Sequence, residues 1–237
     1  MSHTDLHEYI GKDLEAMSVA QNYRYWILSE FHRYLGKTVA EVGAGIGAFS
    51  QLLLKTSIDS LSAFEPSQNM FAMLQTRLYD DHRAQAINGF FGKQQTDQVF
   101  DSVLYINVLE HVKFDALEIG RVYDLLNPNG HLLIFVPALP WLYSPFDAQI
   151  GHFRRYLKND LVNIVKRSGF EIVKARYFDV AGVLPWYINF VLLQNTMSGS
   201  SVSLYDRWVV PPMRVLESII TPPLGKNILL VARKLES

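Results

Sequence analysis

The chain has 237 residues, with 22 Lys or Arg against 23 Asp or Glu, a formal net charge of −1, and 49% hydrophobic residues. That is enough for one domain with a large core and some decoration, and the balanced charge with no Lys/Arg run argues against nucleic acid as a main partner. Cysteine is absent, which excludes disulfides, Cys-ligated structural zinc and a thiol nucleophile, and agrees with a reducing cytoplasm.

The first 37 residues show no basic-then-apolar leader pattern. Residues 5–34 read as one or two helices rich in aromatics, among them Tyr9, Tyr23, Tyr25, Trp26, Phe31 and Tyr34. Thr38–Val42 is an apolar run broken by Glu41; Gly43, Gly45 and Gly47 follow at alternate positions, and Phe49, Leu52, Leu53 and Leu54 start a helical period. The order is strand, tight glycine loop, helix. Glycine tolerates positive φ and lets bare main chain approach a ligand. The Gly-x-Gly-x-Gly spacing is one residue tighter than a dinucleotide fingerprint, and no Gly-Lys-Ser/Thr ending marks a P-loop. Glu41, just before the first glycine, puts negative charge near the ligand, which suits a cationic group better than a pyrophosphate.

A second strand, 61–64, ends at Glu65-Pro66. Glu65 lies about 20 residues past the glycine loop, where a carboxylate can accept both ribose hydroxyls. Pro66 suits the first turn of the helix behind it. The third strand, 84–87, is the weakest and leads to Phe90 and Phe91. A buried fourth strand, 103–106, runs into Asn107-Val108-Leu109-Glu110-His111 and a helix. The cluster 127–130 is dense in turn residues, and 132–136 is a continuous apolar run typical of a strand buried on both faces. Beyond it, 159–168 reads as a helix with Asn159 or Asp160 near its cap and Gly169 after its end. Strands at 170–176 and 227–234 bracket a segment, 177–226, rich in Trp, Tyr, Leu and Pro. Its apolar stretch 180–193 contains Pro185 and is too short to span a bilayer. Ser198-Gly199-Ser200-Ser201 is the best candidate for a mobile loop.

Three of these segments, the glycine loop with Glu41, the Glu65-Pro66 tip, and Phe100 through Val112, resemble in order the motifs of class I S-adenosylmethionine methyltransferases. The resemblance covers roughly residues 20 to 176 plus the C-terminal strand. It implies an α/β fold: a Rossmann-like, seven-stranded, mostly parallel sheet with an antiparallel edge hairpin. The expected division is a helical cap (1–37), a cofactor-binding core (38–176), a substrate lid insertion (177–226) and a returning edge strand (227–237). S-adenosylmethionine is the implied cofactor. Glu41, Gly43, Ala44, Gly45 and Gly47 would meet its methionine and ribose edge, Glu65 the ribose, Pro66 and Met70 the adenosine flank, and Asn107 and Val108 the neighbourhood of the methyl. Tyr23 or Arg24 would reach its carboxylate. Phe90 or Phe91 stands where relatives place an acid for the adenine amino group, so stacking or backbone amides would serve instead.

The implied activity is methyl transfer to a small or medium, partly apolar acceptor, first of all at oxygen. Candidate bases must lie near the carboxyl ends of strands four and five, and His111 and His152 qualify, since imidazole titrates near neutrality. Similar Glu-x-x-Glu-His strings occur in ubiquinone-biosynthesis O-methyltransferases, where they can hold a divalent metal; here the first position is Asn107, so no metal is expected. Asp147, five residues before His152, could orient its imidazole. The run Gly151-His152-x-Arg154-Arg155-Tyr156 resembles a segment of bacterial methyltransferases of sugar and natural-product pathways. Arg154 or Arg155 could bind an acidic substrate group bidentately, with Tyr156, Trp141, Tyr143 and Trp186 completing the substrate side. An apolar lid (Val183, Leu184, Trp186, Tyr187, Phe190, Val191, Leu192) fits a lipid-like acceptor, and plain core packing equally well. Carbon methylation of an isoprenoid or enol is the enzymatic alternative, with Trp141, Tyr143, Phe178 and Trp186 as aromatic stabilisers of a carbocation. A catalytically silent cofactor-binding module is the other alternative. A cytoplasmic chain is expected, with no transmembrane segment; peripheral membrane contact is left open, as is the choice between monomer and homodimer.

Overall fold

A computed structural model describes residues 19–92 and 98–236. The part of the expected helical cap before residue 19, including Tyr9, lies outside the described residues. Seven strands form one sheet: β1 (Thr38–Val42), β2 (Ser60–Glu65), β3 (Ala84–Asn88), β4 (Phe100–Ile106), β5 (Leu126–Pro137), β6 (Phe170–Phe178) and β7 (Asn227–Lys234), in the order β3-β2-β1-β4-β5-β7-β6. β1 pairs in parallel with both β2 and β4, while β7 runs antiparallel between β5 and β6. The sheet is the Rossmann-like one the resemblance implies. Its strand order reverses between β1 and β4, and such a switch point opens a crevice at the carboxyl ends of the strands.

The strands follow from their residues. Central β4 and β7 are buried nearly throughout, as expected of strands covered on both faces. The covering helices show one apolar stripe each: α3 (Gln68–Leu78) buries Met70, Leu74 and Leu78, and α6 (Lys158–Arg167) buries Leu161 and Val165. Between the glycine loop and β2 lies only a short helix, α2 (Ser50–Leu53). Two further helices, α4 (Asp115–Leu125) and α5 (Pro145–Gln149), flank β5. A helix α1 (Gln21–Phe31) precedes β1 and buries Tyr23, Trp26 and Phe31 against Phe135 and Phe178.

Several local expectations change. The turn cluster 127–130 is absorbed into β5: Phe100 pairs with Leu126 and Ser102 with His131, so the four intervening residues bulge out of register, with Asn129 at φ 63. Pro66 does not open a helix; it stands one residue before Ser67, the N-cap of α3. Leu109–His111 form a separate 3-10 turn ahead of α4. α6 is capped at Leu157, not at Asn159 or Asp160, although Gly169 at φ 95 ends it as expected.

The segment 177–226 is helical: α7 (Val183–Trp186), a wider turn Tyr187–Leu192, α8 (Gly199–Trp208) and α9 (Val210–Ile219). The Ser198–Ser201 stretch is the start of α8. Buried polar groups tie this segment to α1 and to the sheet. Asp206 accepts the backbone N–H groups of Asn22 and Tyr23 at 3.0 and 2.8 Å, so an acid from α8 caps the start of α1. Asp179, fully buried at φ 63, accepts from Tyr23, Tyr205 and Gly182, with the Lys226 ammonium 3.2 Å away.

Candidate functional site

One side of the crevice is made of main chain. Gly43, Gly45 and Gly47 all have positive φ, between 55 and 80°. Gly43 is the most constrained: a Cβ there would sit 2.5 Å from Val108 Cγ2, so the loops after β1 and β4 touch only because the glycine is bare. Asn107, at φ 53, anchors the β4 loop through its N–H to the Phe135 carbonyl at 2.8 Å. Glu65 ends β2 with its carboxylate toward this loop, accepting the N–H groups of Gly45 and Ser67 at 2.8 Å each. Burial raises its pKa, and those two hydrogen bonds oppose the rise. Each oxygen keeps a lone pair for a ribose hydroxyl. The bare glycines and the single acid fit an adenosyl ligand.

Glu41 is not the expected negative charge. It is buried beneath the loop, accepts from the Ser50 hydroxyl, and burial pushes its pKa up to about 8, so near neutrality it is an uncharged acid that braces the loop. Ala44 and Met70 are buried beside the loop, and Pro66 is half-buried. The Tyr23 hydroxyl is engaged with Asp179 and Asn227 at 3.1 and 3.0 Å. Phe91 packs into the core against Phe64 and Phe100, whereas Phe90 is 69% exposed.

A group of side chains lies after the tips of β4 and β5. His111 follows the β4 tip and meets His152 edge to face, ring centroids 4.6 Å apart. His152 Nδ1 lies 2.9 Å from Asp147 Oδ1. Asp147 is fully buried; that burial alone would raise its pKa, but His152, Arg155 and Ser144 together hold it below the usual carboxylate range. An ionised Asp147 can only accept, so His152 Nδ1 is the donor of this hydrogen bond, and Nε2 points to the opposite side of the ring. Ser144 and Asp147 cap α5 reciprocally, the Ser144 N–H and hydroxyl donating to Asp147, which locks the acid in place. Burial, then His152, lowers the His111 pKa to about 4, so this ring is neutral.

Glu110 is the residue that sequence reasoning left out. It is completely buried, and neither carboxylate oxygen has a hydrogen-bond partner. Its Oε1 lies 3.7 Å from His152 Nε2. Glu110, His111 and His152 offer one ligand atom each within 4.8 Å of one another, a set with the donor chemistry of a divalent-cation site. The Glu110-His111 string was visible in the sequence; the approach of His152, from a separate loop, was not.

The predicted substrate arginines have internal partners. Arg155 is buried, donates to Asp147 at 2.9 Å, and lies over the Trp186 ring at 4.4 Å. Arg154 donates to Asp115 and to the Lys113 carbonyl at 2.6 and 2.8 Å. Tyr156 is buried and donates to Asp115. Trp141 and Tyr143 are exposed, and the Tyr143 hydroxyl donates to the His152 carbonyl at 2.7 Å. Trp186 is half-buried, with its N–H on the Leu142 carbonyl. Phe178, proposed as a carbocation stabiliser, is fully buried between Trp26 and Phe135 and is unavailable to a ligand.

A family model described as a methyltransferase domain matches residues 19–175. The chain is 24% identical over 143 residues to phosphoethanolamine N-methyltransferase 2 of Caenorhabditis elegans, a match spanning 57% of this chain and 32% of that protein. Among solved structures, phosphoethanolamine N-methyltransferase 2 of Haemonchus contortus, bound to phosphomonomethylethanolamine and S-adenosylhomocysteine, aligns at a TM-score of 0.66 and 16% identity, covering 100% of this chain and 61% of that one. A Thermotoga maritima S-adenosylmethionine-dependent methyltransferase aligns at 0.63 and 16% identity, over 97% and 98% of the two chains.

Proposed function

The chain belongs to the methyltransferase-domain family and is an S-adenosylmethionine-dependent methyltransferase, and we propose that its acceptor is a small or medium, partly apolar molecule methylated at oxygen. The cofactor supplies an electrophilic methyl on its sulfonium. Glu65 and the glycine loop hold the adenosyl part, and Asn107 and Val108 wall the reactive end. His152 Nε2 takes the proton from the acceptor's hydroxyl as its oxygen attacks. Asp147, on the Nδ1 side, orients the ring and stabilises the imidazolium that forms, and Arg155 and Ser144 keep Asp147 ionised. The exposed rings of Trp141 and Tyr143, with Trp186 and Tyr187, form an apolar rim for the acceptor, beneath residues 177–226 as its lid. The observation that carries this reading is the Asp147–His152 pair beside the β4 tip.

The test is a panel of partly apolar alcohols, phenols and carboxylates set against phosphoethanolamine and simple amines, scored by S-adenosylhomocysteine release and by one added methyl in the product. Turnover of the oxygen acceptors supports the reading; turnover confined to phosphoethanolamine or amines overturns it. A second reading rests on the unpartnered Glu110 carboxylate: a divalent cation held by Glu110, His111 and His152 would acidify the acceptor oxygen in place of a free imidazole. Cobalt(II) added to chelator-treated protein would then give a visible absorption band that Glu110→Gln removes. No band and no effect of chelation on turnover would leave His152 as the base.

A further inference from the structure

The helices of 183–224 are apolar on both sides. Their inner faces carry Val202, Tyr205, Val210 and Met213 against α1 and the core. Their outer faces should then be polar, as for ordinary surface helices. Instead they expose Leu204 and Trp208 one turn apart on α8, and Val215 and Ile219 one turn apart on α9, continued by Ile220; Trp208 is 66% and Ile219 79% exposed.

The charges of the same segment are sorted by sign. It contains four charged residues, Asp206, Arg207, Arg214 and Glu217. Both acids are turned inward and satisfied, Asp206 by the start of α1 and Glu217 by Arg176 at 2.7 Å and the Val180 N–H at 2.9 Å. Both arginines are exposed, and the Arg207 guanidinium lies 5.3 Å from the Trp208 ring centre. A groove of about 510 Å³, lined by Asn22, Val210, Pro211, Arg214, Val215 and Ser218, combines apolar walls with that second arginine.

We propose that α8 and α9 seat the enzyme on an anionic lipid bilayer, with Trp208, Ile219 and Ile220 entering the acyl boundary and Arg207 and Arg214 meeting lipid phosphates. Charge complementarity selects this occupant. A second copy docking by the same face would bring arginine against arginine, because the segment exposes no acid to pair with them. An anionic leaflet neutralises both, and exposed Leu, Ile and Trp beside cations are the composition of an interfacial helix. No helix among the described residues is long and apolar enough to cross a membrane, so the contact is peripheral. The segment leaves the sheet at Phe178 and re-enters at Asn227, which pairs with Pro137 at the carboxyl end of β5. The proposal does not depend on which atom is methylated.

Co-sedimentation with vesicles tests it. The protein is expected to pellet with phosphatidylcholine vesicles containing about one-third phosphatidylglycerol and far less with pure phosphatidylcholine, and to be released by salt. Arg207→Gln and Arg214→Gln should each weaken partitioning roughly fivefold. The double variant Trp208→Ser/Ile219→Ser should abolish it while S-adenosylhomocysteine affinity, read by calorimetry on the same samples, stays at the wild-type value. No pelleting with anionic vesicles, pelleting that these substitutions leave intact, or a dimer in sedimentation velocity that Trp208→Ser/Ile219→Ser dissolves would each overturn it.

Discussion

The two walls of the crevice solve the same problem with different materials. The β1–β2 wall is bare backbone: three glycines at positive φ and N–H groups converging on one carboxylate. The β4–β5 wall is a packed group of ionisable side chains: Asp147, His152 and Arg155 joined by hydrogen bonds, His111 against the His152 ring, and Glu110 unpartnered 3.7 Å from His152 Nε2. Backbone geometry fixes shape and suits a ligand of constant structure, whereas side-chain electrostatics set protonation and suit an acceptor that must lose a proton. Damage to one wall should therefore register in cofactor binding and damage to the other in turnover.

The largest effect expected is on turnover. His152→Ala should lower kcat by about 10²–10⁴-fold with S-adenosylhomocysteine affinity within a factor of two. Equal losses in both would mean the walls are not separable. Next is Arg155→Met, which leaves the Asp147 charge buried beside the imidazole. It should cost about 3–5 kcal/mol in denaturant unfolding, whereas Arg154→Met, whose side chain is 32% exposed and whose partner Asp115 keeps the Tyr156 hydroxyl, should cost less. Equal costs would remove Asp147 from the centre of the side-chain wall.

Gly43→Ala attacks the other wall. Its Cβ meets Val108 at φ 68, so cofactor affinity should fall about tenfold or more, with a stability loss on the order of 1–3 kcal/mol. Val108→Ala added to it should recover part of the affinity, the remainder being the cost of φ. The last effect is a slope. Glu41 has a folded pKa raised to about 8, so between its unfolded value near 4.5 and about 8 the folded state holds a proton that the unfolded state releases. Its contribution is present below that window and is lost as pH rises, by about 1.4 kcal/mol per pH unit at most. Glu41→Gln should flatten the fall in unfolding free energy between pH 5 and 8 without the cofactor; an unchanged slope would mean Glu41 is ionised in the folded protein.

The same contrast decides what could be read from the sequence. The backbone wall is written in contiguous residues, so Gly43–Gly47 and Glu65 were legible from spacing, as was the sheet they imply. Glu41 was misread because its charge depends on burial, which adjacency does not reveal. On the side-chain wall the Asp147–His152 pair was legible because both lie in one loop. The Glu110-His111 string was legible too, but the approach of His152 to it, from 42 residues away, was not. Arg155 looked like a substrate ligand because nothing local shows that Asp147 and Trp186 will enclose it. The bulge at 127–130 and the helical start at Ser198–Ser201 carry turn composition, and pairing or packing with distant residues overrode it.

The measurement that tests the backbone wall most directly is calorimetric titration of S-adenosylhomocysteine into the wild type and into Glu65→Ala. The account predicts one site per chain for the wild type and an affinity at least about tenfold weaker for Glu65→Ala, as expected when a carboxylate serving two hydroxyls is removed. No heat with the wild type, or the same affinity for both proteins, would contradict it.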